Sequence, residues 1–252
     1  MSVLAQQIAV GIALVLLWAL GDALTVFNPD VLPPVHEVAR QFIAVWWQPD
    51  FLAALFATLR DAILGVLAAA LFAIPLGLVI GMFAPFERST RTLLDFGRSF
   101  PVVALLPILV LLIGANSLMK TVTIAIACFF PILLQTIYGA RRLEPTIVDT
   151  VRSFRIPFRL RFFRVILPAA LPYIATGLRI ATAVSILVAV GTEVILPITG
   201  LGRSISLARV DNQVAVAFAY VIYAGLLGVV LTGLWELAED RLLAWHRRAK
   251  AE

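Results

Sequence analysis

Arg179, Thr182, Ser185, Ala189 and Thr192 recur at spacings of three, three, four and three, and Glu193 follows at once. On a helix those intervals place polar and small side chains on one face. The surrounding stretch, 171 to 196, is otherwise apolar, so the stripe sits where water is scarce. Hydroxyls there could line the path of a solute, or they could let neighbouring helices approach closely, as small residues do in membranes. Both roles stand for Thr182 and Ser185. Arg179 and Glu193 are different, because an ionisable group within a span is costly and turns to a cavity or a partner. Arg179 lies about two turns from the nearer end of the stretch and could also snorkel to water. Asp22, Arg60 and Asp61 fall near the ends of apolar runs, where snorkelling explains them.

Enzyme chemistry is poorly supplied. His36 and His246 are the only histidines; both lie outside the apolar runs, without a partner for acid–base or metal chemistry. Cys128 is the only cysteine, which excludes a disulfide within the chain and reads as a small apolar side chain inside a span. No G-x-x-x-x-G-K-[S/T] phosphate loop occurs, and the only lysines, Lys120 and Lys250, do not follow glycine. The chain is therefore not expected to hydrolyse ATP.

The elements that hold these residues follow from composition. The 252 residues are 62% apolar and 14% charged, with a mean hydropathy of +1.00. An ordinary soluble domain is far less apolar. Runs such as 63 to 84 are apolar on both parities, which argues for helices over the alternating strands of a barrel. Six spans are predicted, at about 5–26, 57–84, 97–114, 118–138, 171–196 and 214–236. The third is short and holds Pro101 and Pro107. No basic residue precedes Arg40, so the first run is expected to remain as a span and not as a cleaved signal. Without repeats or linkers, 1–252 reads as one all-α domain.

Fourteen Lys and Arg follow the second, fourth and sixth spans, against four on the opposite side. The positive-inside rule then predicts cytoplasmic termini and a cytoplasmic loop at 139–170. It also makes the net charge of +5 topological, with no nucleic acid needed. Topology alone does not require so long a loop. In 144–155, Ile147, Val151 and Phe154, with Val148 beside them, make an apolar helical face, and Pro145 suits the first turn. Pro157 interrupts, and 158–167 predicts a second short helix that Pro168 ends. On the outer side, Val35, Val38, Phe42 and Val45 at helical spacing, with Trp46 and Trp47, predict a helix lying in the membrane interface.

The run from Asp149 to Pro168 resembles the cytoplasmic loop of ABC-importer permeases of the binding-protein-dependent type. Asp149, Thr150 and Val151 occupy its E-A-A positions, and "ILP" at 166–168 stands near its end. Arg155 replaces the glycine that the resemblance expects at the bend between the two helices, which leaves Ile156 and Pro157 to make the turn instead. "LPPVHEV" (32–38), "FAIPLGLVIG" (72–81), "ALLPILVLLIG" (104–114), "ILPAALPYIATGLRIA" (166–181) and "TGLG" (199–202) resemble permeases for nitrate, aliphatic sulfonates, taurine, bicarbonate and thiamine precursors.

The resemblance implies a permease in the bacterial plasma (inner) membrane that moves a small anion or heterocycle by alternating access. It implies a second permease subunit, a homodimer as the expected case, together with two cytoplasmic ABC ATPases and an extracytoplasmic solute-binding protein. ATP and Mg would belong to the ATPases, with no cofactor on this chain. Ile147, Val148, Asp149, Thr150, Val151, Arg152, Phe154 and Arg155 would form the coupling site. Ile147, Val148, Val151 and Phe154 would supply burial, and Arg152 and Arg155 register. Arg179, Thr182, Ser185, Thr192 and Glu193 would line the path. A secondary transporter or channel is the rival, with Glu193 the one plausible ion-coupling carboxylate; an intramembrane enzyme would need a pair of groups the spans lack.

Overall fold

The computed structural model describes residues 3–24, 28, 31–143 and 145–243, and among them there is no strand. The chain is an all-α polytopic membrane protein. Its helices are α1 (Val3–Ala23), α2 (Val35–Val45), α3 (Phe51–Met82), α4 (Ala84–Ser99), α5 (Leu106–Ile113), α6 (Ser117–Arg141), α7 (Pro145–Ser153), α8 (Phe158–Arg161), α9 (Leu167–Ile195), α10 (Leu201–Val210) and α11 (Val214–Leu242). Five segments of the described chain are long and apolar enough to cross a membrane: α1, α3, α6, the continuous 158–195 and α11. His246, Arg247, Arg248 and Lys250 lie outside the described residues.

The centre is α6, packed between α3 and α9. Close approach is possible because α3 presents glycine to it: a Cβ on Gly65 would lie 2.4 Å from Ile124 Cγ2, and one on Gly77 2.7 Å from Thr136 Cβ. Ile124, Cys128, Ile132 and Leu133 of α6 fill the seam with Ala69 and Ala73 of α3 and Ala181 and Ala189 of α9. Buried Cys128 approaches the Ala181 carbonyl at 3.3 Å.

A second core joins the start of α3 to α10 and α11. Phe51 is fully buried against Tyr220 and Tyr223 of α11, at ring separations of 6.1 and 4.6 Å. This packing starts α3 six residues before the predicted 57. The amphipathic α2 lies over it, Phe42 stacked 4.3 Å from Tyr223. Tyr223 donates to the Phe42 carbonyl at 2.8 Å.

Two predicted elements differ. The expected third span, 97–114, is instead α4, a 3₁₀ turn (Val102–Leu105) and α5, with an 84° bend between Pro85–Ser99 and Val102–Ile113. Phe100 and Pro101 are extended at the bend; the twelve residues beyond it reach only about 20 Å, so α4 and α5 cross the hydrocarbon core only together, and counted as one broken span they make the sixth crossing. Gly114, at φ +85, ends α5, and the Asn116 side chain caps α6 by accepting from the Met119 N–H at 3.0 Å. Nor does Pro168 end a helix. A π turn over Phe162–Ile166 precedes it, with the Leu167 N–H bonded to the Phe162 carbonyl. Proline clashes with the carbonyl four residues back, and a widened turn relieves that clash, so α8 runs on into α9.

Candidate translocation and coupling sites

Four polar side chains from three helices meet at the end of the bundle opposite the 139–170 loop. Thr58 and Asp61 are one turn apart on α3, Lys120 is in the first turn of α6, and Glu193 is near the end of α9; all are buried. Lys120 Nζ lies 2.7 Å from Glu193 Oε1, 2.8 Å from Asp61 Oδ2 and 3.0 Å from the Thr199 carbonyl. Thr58 donates to Glu193 at 2.9 Å. Asp61 Oδ1 accepts from Ser117 Oγ and Arg60 Nε, both at 2.8 Å. The interfacial reading of Asp61 is thus corrected: it is an enclosed partner of Lys120, and only Arg60 reaches the exposed rim. Two carboxylates about one lysine, each with further donors, is what lets charges stay in a low-dielectric interior.

This cluster also holds the 199–202 loop. The Gly202 N–H donates to Glu193 Oε2 and the Leu201 N–H to Thr58 Oγ1, both at 2.9 Å. Those are orphan donors at the start of α10, so a carboxylate and a hydroxyl from other helices cap it. A Cβ on Gly200 would sit 2.0 Å from Glu193 Cδ, and one on Gly202 2.3 Å from the Val190 carbonyl. The two glycines of "TGLG" therefore leave room for Glu193.

The α9 stripe divides. Arg179 Nε is 3.1 Å from Glu239 Oε2 and its Nη2 pairs with the same oxygen, joining α9 to α11. Thr182 and Ser185 border a cavity of about 260 Å³ with Val66 of α3 and Leu231 and Trp235 of α11. Their hydroxyls donate to the carbonyls of Leu178 at 2.8 Å and Thr182 at 2.7 Å, within the helix. Ala189, Thr192 and Glu193 are buried among the chain's own helices.

In the 139–170 loop, α7 ends in a left-handed turn at Arg155, φ +48, with the Ile156 N–H bonded to the Val151 carbonyl at 3.1 Å. That six-to-one bond is a Schellman closure. Arg155 itself makes the bend, in the conformation glycine adopts most cheaply. Phe154 beside it is 77% exposed, Ile147 is 39% exposed, and Asp149 and Thr150 are exposed. Val151 is buried within this chain, so it is not free to supply the outward face expected of it. The side chains of Val148 and Arg152 lie outside the described residues.

Residues 73–243 match the family described as binding-protein-dependent transport system inner membrane component. This chain belongs to that family. The permease is 27% identical to the taurine transport system permease protein TauC of Escherichia coli (strain K12), over 96% of this chain and 92% of that protein. It is 32% identical to the bicarbonate transport system permease protein CmpB of Synechococcus elongatus (strain ATCC 33912 / PCC 7942 / FACHB-805), over 76% of this chain and 66% of that one. Its fold is that of a chain in the inward-facing MetNI methionine ABC transporter, with a TM-score of 0.60 at 17% identity, covering 77% of this chain and 94% of that one. As a multi-pass permease of this family it is expected to work with an ATPase and a binding protein.

Nothing in the sequence paired Asp61 with Lys120 and Glu193, which stand 59 and 73 residues apart from the lysine. The available signal was Lys120 itself, one of two lysines, placed at the mouth of an apolar run.

Proposed function

We propose that the permease moves a small solute with an oxyanion group across the bacterial inner membrane by alternating access, driven by two separate cytoplasmic ATPases that bind ATP and Mg. The chain contributes no catalytic group of its own. It works with a second permease subunit, taken as an identical copy, and receives solute from an extracytoplasmic binding protein. Both termini and the 139–170 loop face the cytoplasm. The carrying observation is the α7–α8 elbow, in which Arg155 supplies the left-handed turn at the family's glycine position and holds Phe154 outward.

Docking follows from that shape. Phe154 and Ile147 offer apolar surface to a groove of the ATPase, while Asp149, Thr150, Arg152 and Arg155 set register at its rim. Val148 belongs to the same helix, and Val151 supports it from within. When nucleotide draws the ATPases together, the elbow must follow. The continuous helix from 158 to 195 carries that displacement to the outer end, where Glu193 and Lys120 fasten it to α3, α6 and α10. Thr182 and Ser185 border the cavity on that lever, and Arg179 ties it to α11.

The oxyanion class rests on the relatives: taurine carries a sulfonate and bicarbonate a carboxylate-like head. Ion-gradient drive finds less support, because Glu193 is bound to Lys120, Thr58 and Gly202 and is not free to load a proton or sodium. The test is uptake of labelled taurine, sulfonates, nitrate and bicarbonate into vesicles holding permease, ATPase and binding protein. ATP-dependent uptake insensitive to a protonophore is expected; uptake that a protonophore abolishes while ATP has no effect would refute the reading.

A further inference from the structure

The helix that broke the expected third span carries an arginine face into the bilayer. Two contacts fix its path. At the cytoplasmic end Glu87 pairs with Arg141, the last residue of α6. At the other end Gly97 meets Phe130, whose ring would lie 2.1 Å from a Cβ at that position. Phe130 stands 13 residues from Ser117 and 11 from Arg141, in the middle of α6. From Glu87 to Gly97 the helix rises about 15 Å, and from Arg141 back to Phe130 α6 covers about 16 Å, so the two run side by side and antiparallel. Between those ends Leu94 is buried in the α3–α6–α9 core. α4 therefore climbs from the cytoplasmic surface to mid-membrane depth.

Its sequence makes that course unusual. Around the helix, Leu94 and Gly97 face α6, Phe86 and Leu93 form an exposed apolar edge, and Arg88, Arg91, Asp95 and Arg98 form an exposed polar one. Asp95 pairs with Arg98 at 3.0 Å, both side chains more than half exposed. Arg88 stands one residue from the surface pair and can reach bulk water. Arg98, next to Gly97, is near the middle of the bilayer and too deep for its side chain to regain the interface. Charged groups at that depth turn to a water-filled cavity and not to lipid.

We propose that the polar edge of α4 lines the inner half of the solute path, and that Arg88, Arg91 and Arg98, partly balanced by Asp95, give that path its preference for anions. This rests on the transport function proposed above. It moves the charged lining from α9, whose Glu193 is enclosed and whose Arg179 is held by Glu239, to a helix with cations on an open face. Three arginines against one aspartate leave a positive surface without a closed cage, which admits an oxyanion and still lets it leave.

The test uses the permease–ATPase complex with Cys128→Ala, single cysteines at Asp95 and Ser99 on the polar edge, and at Phe86 and Leu93 on the apolar edge. Ser99→Cys is a near-isosteric exchange, so one polar probe keeps the fold. Inside-out vesicles are treated with membrane-impermeant thiosulfonates, one bearing a sulfonate and one a quaternary ammonium. Expected are reaction at least tenfold faster at 95 and 99 than at 86 and 93, and at 99 a sulfonate reagent faster than the cationic one by fivefold or more. Arg98→Gln should reduce that charge preference several-fold in a complex that still assembles and melts like the parent. Equal or slower labelling of the polar edge, or faster reaction with the cation, overturns the inference. Failure to isolate any ATPase with the permease would instead strike the transport reading, and the labelling would still report whether this edge faces water.

Discussion

Lys120→Met is the sharpest probe of the Asp61–Lys120–Glu193 cluster. The substitution keeps length and apolar volume but removes the cation 2.7 Å from Glu193 and 2.8 Å from Asp61. Two buried carboxylates are left facing one another, and the Thr199 carbonyl loses its donor. Removing one partner of a buried pair costs about 3–5 kcal/mol, and the lost neutral acceptor adds about 1 kcal/mol. For a chain of this size that lowers the unfolding midpoint by on the order of 10 °C. Thermal denaturation of the detergent-solubilised protein, read by tryptophan fluorescence, measures it. Adding Asp61→Asn and Glu193→Gln to Lys120→Met should recover half or more of the loss, since the penalty comes from unpaired charge and not from volume. A midpoint within 2 °C of the parent for the single variant would show that the carboxylates are not enclosed as described.

Further expectations follow from the same geometry. Gly202→Ala places a methyl group 2.3 Å from the Val190 carbonyl, and the strain should cost about 1–3 kcal/mol, seen as a lower denaturation midpoint. Arg155→Gly relieves a left-handed arginine and should stabilise the elbow by about 1 kcal/mol or less; slower amide exchange at Ile156, whose N–H closes the turn, is the readout. Phe154→Ala removes burial worth about 1.5–3 kcal/mol, so affinity for the ATPase should fall about tenfold to a hundredfold in a pull-down titration, with the permease's own melting unchanged.

Much of the helical framework is legible from hydropathy because α3, α6, α9 and α11 are long uninterrupted apolar segments. The elbow is legible too, since Pro145 and Pro157 punctuate a short amphipathic stretch. What hydropathy misses is set by contacts distant in sequence. α4 has too many charges to read as part of a span, and only its contacts, Leu94 in the α3–α6–α9 core, Gly97 against Phe130 and Glu87 against Arg141, show that it runs along α6. α10 has no capping residue of its own and depends on Glu193 and Thr58, so its start carries no local signal. Pro168 reads as a terminator because the π turn that accommodates it leaves no mark in the sequence. Val151 sits at the spacing of an outward apolar face yet turns inward, a choice that periodicity alone cannot make.

Affinity capture of the tagged permease from native membranes, comparing the parent with Phe154→Asp, probes the elbow as the seat of the engine. An ATPase with a phosphate-binding loop, recovered at one copy per permease with the parent and lost with the variant while both permeases melt alike, is the predicted result. Equal recovery of that ATPase with both proteins would mean that the elbow does not transmit the stroke.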